Sequence, residues 1–156
     1  MSFMNSINII GSGLTAQQLR LDIVAENVTN SQTTRTENGG GAYRRKLVVF
    51  EALSGRDTFR AALARASNGL ISNTEAAPVA GGVRVAEIVE DEDDPMKMVY
   101  DPSHPDANED GYVELPNVDM VMEMADAMAA TRAYASNVTA FNTLKTVLSS
   151  GLEIGR

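Results

Sequence analysis

The densest chemistry in this chain lies at Asp106-Ala107-Asn108-Glu109-Asp110-Gly111, which supplies the first, third and fifth ligand positions and the glycine of an EF-hand calcium loop. Such a loop needs a bidentate glutamate at its twelfth position, where Asn117 stands, and Pro105 blocks the incoming helix. A tight turn that uses Asp, Asn and Gly for their own backbone preferences accounts for the stretch better. A calcium-binding module on residues 106–117 is kept as an alternative. A second candidate is Ile7-Asn8-Ile9-Ile10 followed by Gly11-Ser12-Gly13-Leu14-Thr15-Ala16, which fits the G-x-G-x-x-G/A spacing that lets backbone approach a pyrophosphate. Its second half is missing, because Thr29-Asn30-Ser31-Gln32-Thr33-Thr34 occupies the place of a strand ending in a ribose-binding acid. His104 is the sole histidine and has no second imidazole or cysteine with which to share a metal. No Ser–His–Asp set has supporting residues around it. Carboxylates in an exposed run lack the surroundings that shift a pKa for acid–base work. The reading is of no enzyme, no cofactor and no metal.

The elements around these residues are organised by helical repeats. Met120, Met124, Ala127, Thr131, Tyr134, Val138, Phe141, Lys145, Leu148 and Leu152 recur at alternating steps of four and three, with only Thr131 and Lys145 off type. That is a seven-residue repeat, and it predicts a long helix. Pro116 cannot lie inside it, Asn117 is expected as its N-cap, Asp119 and Glu123 place negative charge at its first turn, and Gly151 reads as its stop. At ~1.5 Å per residue it would be roughly 50 Å long, more than one small core needs, so it calls for partners. Near the N-terminus Ile7, Leu14, Leu21 and Val28 fall at steps of seven with Ile10 and Val24 between them and Gln17 as the polar interruption. One helix over roughly residues 5–30 puts all six apolar side chains on one stripe, against a cost of about 1 kcal/mol each for Gly11 and Gly13.

Composition narrows the function further. The 156 residues carry a formal net charge of −8, with aromatics at 5% and no tryptophan. Large core-filling side chains are therefore scarce, and the apolar surface sits in aliphatic and methionine stripes suited to helix pairing. Between Glu87 and Glu114 eleven carboxylates stand against Lys97 alone, a face that repels nucleic acid and anionic lipid. Cysteine is absent, which excludes disulfides, thiolate-held zinc and thiol nucleophiles. No stretch approaches a membrane span, and the first thirty residues hold no basic segment followed by an unbroken apolar core. A Sec-type signal is not expected.

The middle of the chain reads as a small β unit. Asn, Thr and Gly over residues 29–42 predict a loop, and Arg44-Arg45-Lys46 leads into a strand at Leu47-Val48-Val49-Phe50. Further strands are predicted at Val83, Val85 and Ile88-Val89, at Met96–Tyr100, and at Gly111–Leu115. Residues 57–67 could form a short helix inside a stretch that reads as an excursion. The expected fold class is α+β: long N- and C-terminal helices pairing as a coiled coil, with a small β unit between them carrying an insertion. The segments are a helical arm at 1–34, a β-rich domain at 35–115 interrupted at 53–79, and the long helix at 116–156.

Taken together, the arms carry a resemblance. Ser12-Gly13-Leu14-Thr15-Ala16-Gln17-Gln18-Leu19-Arg20-Leu21-Asp22 with Ala25-Glu26-Asn27-Val28-Thr29-Asn30 is similar to the N-terminal signature of bacterial flagellar rod and hook axial proteins. Pro116-Asn117-Val118-Asp119, Glu123-Met124, Ala130-Thr131-Arg132-Ala133-Tyr134, Asn137-Val138 and Leu152-Glu153-Ile154-Gly155-Arg156 resemble its C-terminal counterpart. Tyr43-Arg44-Arg45-Lys46, Gly82-Val83-Arg84-Val85, Val99-Tyr100-Asp101-Pro102 and Asp110-Gly111-Tyr112-Val113 resemble a proximal-rod member between them. Glu26 and Thr29 depart from the small or amide residues usual in the signature, and residues 53–79 look inserted.

The resemblance implies a structural subunit of the flagellar proximal rod, exported unfolded by the flagellar type III apparatus with an uncleaved N-terminal signal and assembled in the periplasm. It implies partners among copies of the chain itself and other rod proteins of the FlgB, FlgF, FlgG and FliE types, with no nucleic acid and no direct membrane insertion. The assembly seam would then run through Ile7, Ile10, Leu14, Leu21, Val24 and Val28 on one arm and Met120, Met124, Ala127, Thr131, Tyr134, Val138, Phe141, Leu148 and Leu152 on the other. A cytoplasmic coiled-coil adaptor is the other alternative the repeats allow.

Overall fold

The computed structural model describes residues 3–36, 41–53 and 81–154. The short helix expected at 57–67 and the interruption at 53–79, apart from Leu53, lie outside the described residues. Among the described residues two helices and four strands follow in the order α1 (Phe3–Thr29), β1 (Lys46–Ala52), β2 (Val83–Glu90), β3 (Lys97–Tyr100), β4 (Tyr112–Leu115) and α2 (Met120–Ile154). The class is α+β.

α1 is one unbroken helix of 27 residues, so Gly11-Ser12-Gly13 lies in its interior and forms no nucleotide-binding turn. Its last turn closes on itself: the Thr29 hydroxyl donates to the Ala25 carbonyl, and Asn30 donates to the Glu26 carbonyl from both backbone and side chain. The loop begins beyond it, with turns closed by Ser31 N–H to the Val28 carbonyl and Thr33 N–H to the Asn30 carbonyl. α2 runs for 35 residues, about 52 Å at 1.5 Å per residue.

Two expectations about its ends need correction. The N-cap is Asp119, whose Oδ1 accepts the Val121 N–H at 2.9 Å, and Asn117 is buried three residues before the helix. Gly151 does not stop the helix, which continues through it to Ile154. A single glycine removes no backbone hydrogen bond and carries only its propensity cost.

The strands form two separate two-stranded sheets. In the ribbon of β1 and β2, Leu53 donates to the Gly82 carbonyl and Asp91 to the Arg45 carbonyl, which makes the pair antiparallel. β3 and β4 are antiparallel with Lys97 opposite Leu115, Met98 opposite Glu114, Val99 opposite Val113 and Tyr100 opposite Tyr112. The last pair stacks edge to face at 5.3 Å. Gly111 takes a φ of +81°, and a Cβ there would meet the Tyr100 ring at 3.0 Å, so glycine is needed at that turn.

The chain divides into two compact units. The groove unit comprises Met1–Gln18, Phe50–Ala86 and Arg132–Arg156; the clamp unit comprises Leu19–Val49 and Glu87–Thr131. Among the described residues every buried side chain except Ala16 belongs to the clamp unit: Ile23, Val24, Asn27, Ala42, Tyr43, Asp91, Val113, Pro116, Asn117, Val118, Glu123 and Ala130.

Candidate assembly surfaces and the polar clamp

Ala130 is fully buried in the clamp unit, and its small side chain permits close approach. Seven residues before it, at the start of α2, Glu123 is 1% exposed, and near the end of α1 so is Asn27. A carboxylate so placed is costly unless charge and hydrogen bonds compensate it. Asn27 Nδ2 donates to Glu123 Oε2 at 3.1 Å and to the Lys46 carbonyl at 2.9 Å, while Asn27 Oδ1 accepts the Tyr43 hydroxyl and the Lys46 N–H, each at 2.9 Å. All four hydrogen-bonding positions of the amide are thereby used. The other carboxylate oxygen of Glu123 accepts Arg45 Nε at 2.6 Å, and Arg45 Nη1 reaches Asp91 Oδ2 at 3.3 Å.

Asn117 extends the network. Its Oδ1 accepts the Arg45 N–H at 2.8 Å and its Nδ2 donates to the carbonyls of Asp91 and Asp94 at 2.9 and 3.1 Å. Four chain segments thus meet in one polar cluster: the end of α1, the start of β1, the segment after β2 and the approach to α2. Burial, and after it the charges of Glu26, Glu123 and Glu90, pushes the Tyr43 phenol above its ordinary value and keeps it a donor. Burial pulls the Arg45 guanidinium down, but hydrogen bonds and charges from Glu123 and Asp91 outweigh it and raise the pKa. Beside the cluster Arg20 pairs with Asp126, and Lys46 with Glu26, the acid that departs from the N-terminal signature.

The expected seam residues fall into two groups. Val24 is buried, and Ile7, Ile10, Leu14, Leu21, Val28, Ala127, Tyr134 and Val138 are half-buried. Met120, Met124 at 56%, Thr131, Phe141, Leu148 at 44% and Leu152 at 68% are exposed, as are Val121, Met122, Met128 and Val147. In the groove unit Ser6, Ile9 and Ile10 of α1 and Ala140, Thr143 and Leu144 of α2 line an open apolar groove of about 420 Å³. The enclosed line of α2 runs Glu123, Ala130, Asn137, Leu144, at a constant step of seven. It lies beside the more apolar line that periodicity singles out.

The chemical candidates are otherwise employed. Asp106 accepts the Thr34 hydroxyl at 2.8 Å and pairs with Arg35. Asn108 Oδ1 accepts the N–H groups of Asp110 and Tyr112, and Asp101 accepts the Ser103 N–H and hydroxyl. These are the side-chain turns that Asp and Asn favour in loops. His104 Nδ1 accepts the Asp106 N–H at 3.1 Å. Among the described residues no group of three or more His, Asp or Glu is arranged to hold a metal, and no helix is long and apolar enough to cross a membrane.

Asn27, Tyr43, Arg45, Asn117 and Glu123 are the residues that pattern reading did not single out as a site, although each stands within a motif of the resemblance. In the pattern alone Asn117 and Glu123 read as helix-start signals and Arg45 as strand-entry charge, and Asn27 as a polar residue beside an apolar stripe.

Two family models match the chain, "Flagella basal body rod protein" over residues 7–35 and "Flagellar basal body rod FlgEFG protein C-terminal" over residues 109–154. The first covers most of α1 and the loop after it, the second β4 and α2. Among curated relatives, the flagellar basal-body rod protein FlgC of Bacillus subtilis is 42% identical, with all of both chains aligned. That of Borreliella burgdorferi is 39% identical over 99% of this chain and 98% of its own, and that of Escherichia coli O6:H1 is 36% identical over the whole of both. With identity at this level from end to end, and with both helical arms matched by rod-family models, the chain belongs to the FlgC family of flagellar basal-body rod proteins.

Proposed function

We propose that the chain builds the proximal part of the flagellar rod, with its terminal helices paired as a coiled coil and packed against those of neighbouring subunits around a central export channel. At the family level it is a rod component rather than an enzyme, and its place is the basal body. The observation that carries the reading is the apolar side chains left exposed along the long helix α2, from Met120 and Met124 to Leu148 and Leu152. Contiguous exposed apolar positions at helical spacing mark a surface that another helix covers.

A second feature supports burial of that surface. The hydroxyls of Thr131, Thr139, Thr143, Thr146 and Ser149 each donate to the carbonyl four residues earlier in α2. Polar side chains satisfied within their own helix can be covered without leaving a donor unpaired. The helix is therefore compatible with close contact on several sides. Torque would pass through the resulting seams, and the mechanism is mechanical.

The partners proposed are further copies and rod proteins of the FlgB, FlgF, FlgG and FliE types, reached by type III export across the inner membrane without a cleaved signal. The test replaces Val138 and Phe141 together with Asp. Rod assembly and motility are expected to be lost while export persists, and normal motility would place the seam elsewhere. Fractionation of a tagged copy separates this reading from a cytoplasmic adaptor. Recovery with detergent-extracted basal bodies, abolished when the export apparatus is deleted, is the expected result.

A further inference from the structure

The Gly-Ser-Gly stretch that resembled a phosphate-binding turn has no such role inside a continuous helix, yet two of its three residues make contacts that only small side chains allow. A Cβ added at Gly13 would lie 3.0 Å from Nδ2 and 3.6 Å from Cγ of Asn137 on α2, whereas one added at Gly11 meets nothing within 4 Å. The two glycines carry the same helix-propensity cost, so only Gly13 has a packing reason to be glycine.

Ser12, on the next side of the same turn, donates to the Ile9 carbonyl at 2.7 Å and accepts the Val83 N–H at 3.1 Å. Gly82, just before β2, has a φ of +135°, and a Cβ there would lie 2.7 Å from Ser12 Oγ. One turn of α1 thus receives α2 through Gly13 and the start of β2 through Ser12. All of these residues belong to the groove unit.

We infer that Ile9–Gly13 is a register lock: the notch at Gly13 seats Asn137, and the Ser12 hydrogen bond to Val83 holds the same turn to β2, so that α1 cannot slide along α2. The Asn27–Glu123 and Arg20–Asp126 contacts join the same two helices in the clamp unit, but in this unit apolar stripes alone do not prevent local sliding. A repeat of seven offers nearly equivalent packings one heptad apart, and one turn apart where small residues line the face; a single polar residue in the seam breaks that equivalence. Asn137 sits in the half-buried line of α2, and Gln17 lies one turn beyond Gly13 on the same face of α1 with its Oε1 buried and unpartnered among the described groups. A slip of one turn towards the N-terminus of α1 would carry the Asn137 amide against Ile9 and Ile10. The consequence for assembly rests on the function proposed above, since register decides which side chains each subunit offers its neighbours. The lock itself belongs to the single chain.

It is tested there. The chain has no cysteine, so Met4→Cys with Ser136→Cys gives two exposed labelling sites on the two helices of one unit, and the distance between nitroxides at those sites reports register. The purified full chain is expected to give one narrow distribution, unchanged by Gly11→Ala, which raises the urea midpoint. Gly13→Leu is expected to shift or broaden the distribution by an amount consistent with about one turn, ~5.4 Å along the axis. Adding Asn137→Ala to Gly13→Leu empties the notch and should restore a narrow peak at the parent distance. A Gly13→Leu chain with the parent distribution and a raised midpoint would overturn the inference. So would a parent distribution that is already broad. Neither result bears on recovery with basal bodies, which tests the rod reading separately.

Discussion

Replacing Asn27 with Asp changes almost no volume and turns one donor of the clamp into an anion. In the native cluster Nδ2 lies 3.1 Å from Glu123 Oε2, which belongs to a residue only 1% exposed. The variant sets two carboxylate oxygens at that separation. Two unit charges 4 Å apart interact by about 4 kcal/mol at an effective dielectric constant of 20. The lost bonds to the Lys46 carbonyl and to Glu123 add about 1 and about 2 kcal/mol. Against this, Arg45 still pairs with Glu123, and the Tyr43 hydroxyl and Lys46 N–H bind a charged acceptor more strongly. A net loss of about 3–4 kcal/mol at pH 7.5 is expected, a large part of the roughly 5–15 kcal/mol typical of a folded domain.

The pH dependence identifies the cause. Repulsion raises the folded-state pKa of the new carboxyl pair above the unfolded values of about 3.9 and 4.3. The penalty is therefore fully present above the raised value and shrinks as pH falls through it, because the folded variant then takes up a proton that the unfolded chain does not. Urea unfolding of the parent, Asn27→Asp and Asn27→Ala, followed by circular dichroism at pH 7.5 and pH 5, separates the effects. The Asp deficit should narrow at pH 5, whereas the Ala deficit, which has no new charge, should not. An Asp deficit below about 1 kcal/mol at pH 7.5, or one equal at both pH values, would refute the clamp as described.

Other expectations follow from the same contacts. The Thr34 hydroxyl first, with Arg35 adding to it, holds the Asp106 carboxyl below its ordinary value against the opposing effect of desolvation. A depressed carboxyl stabilises above its unfolded pKa and loses that contribution as pH falls through the folded value, so the backbone signals of Thr34 and Arg35 should move together with the Asp106 titration below about pH 4. Thr34→Val should bring that titration back towards the ordinary range, and a titration already there in the parent would remove the contact. Arg20→Ala should cost no more than about 1 kcal/mol, because its pairing with Asp126 is about 30% exposed on both sides and solvent screens it. Amide exchange should be slowest near residues 23–27 and 123–130 and faster towards Leu148 and Leu152, and uniform protection along α2 would contradict the uneven burial.

How much of this was legible beforehand depends on which force set each feature. Both helices and all four strands could be read from periodicity, because burial of one face fixes the spacing of apolar residues. The face that α2 encloses could not be read in the same way. Glu123, Ala130 and Asn137 hold that line at a step of seven, and none would be chosen by apolarity. Ala130 is there for its small size, and Glu123 and Asn137 are there for groups on other segments, which periodicity within one helix does not contain. Asn117 illustrates the same limit: as an isolated residue before a helix it is a good N-cap, yet its amide is engaged by Arg45, Asp91 and Asp94.

What pattern reveals and what it hides divide by chemistry. In the clamp unit polar groups at fixed distances hold the chain segments together, and each must find its particular partner because an unpaired buried amide or carboxylate is costly. Such a region tolerates one arrangement and gives little sequence signal. The exposed apolar side chains of α2, Met120, Val121, Met122, Met124 and Met128 in the clamp unit and Phe141, Val147, Leu148 and Leu152 in the other, make no such demand, so many packings would cover them at similar free energy. A subunit that must meet several neighbours needs that permissive surface, but permissiveness leaves register undetermined. The small-residue notch at Gly13 and the amides of Asn137 and Gln17 supply the missing constraint at a place where apolar pattern shows only an interruption.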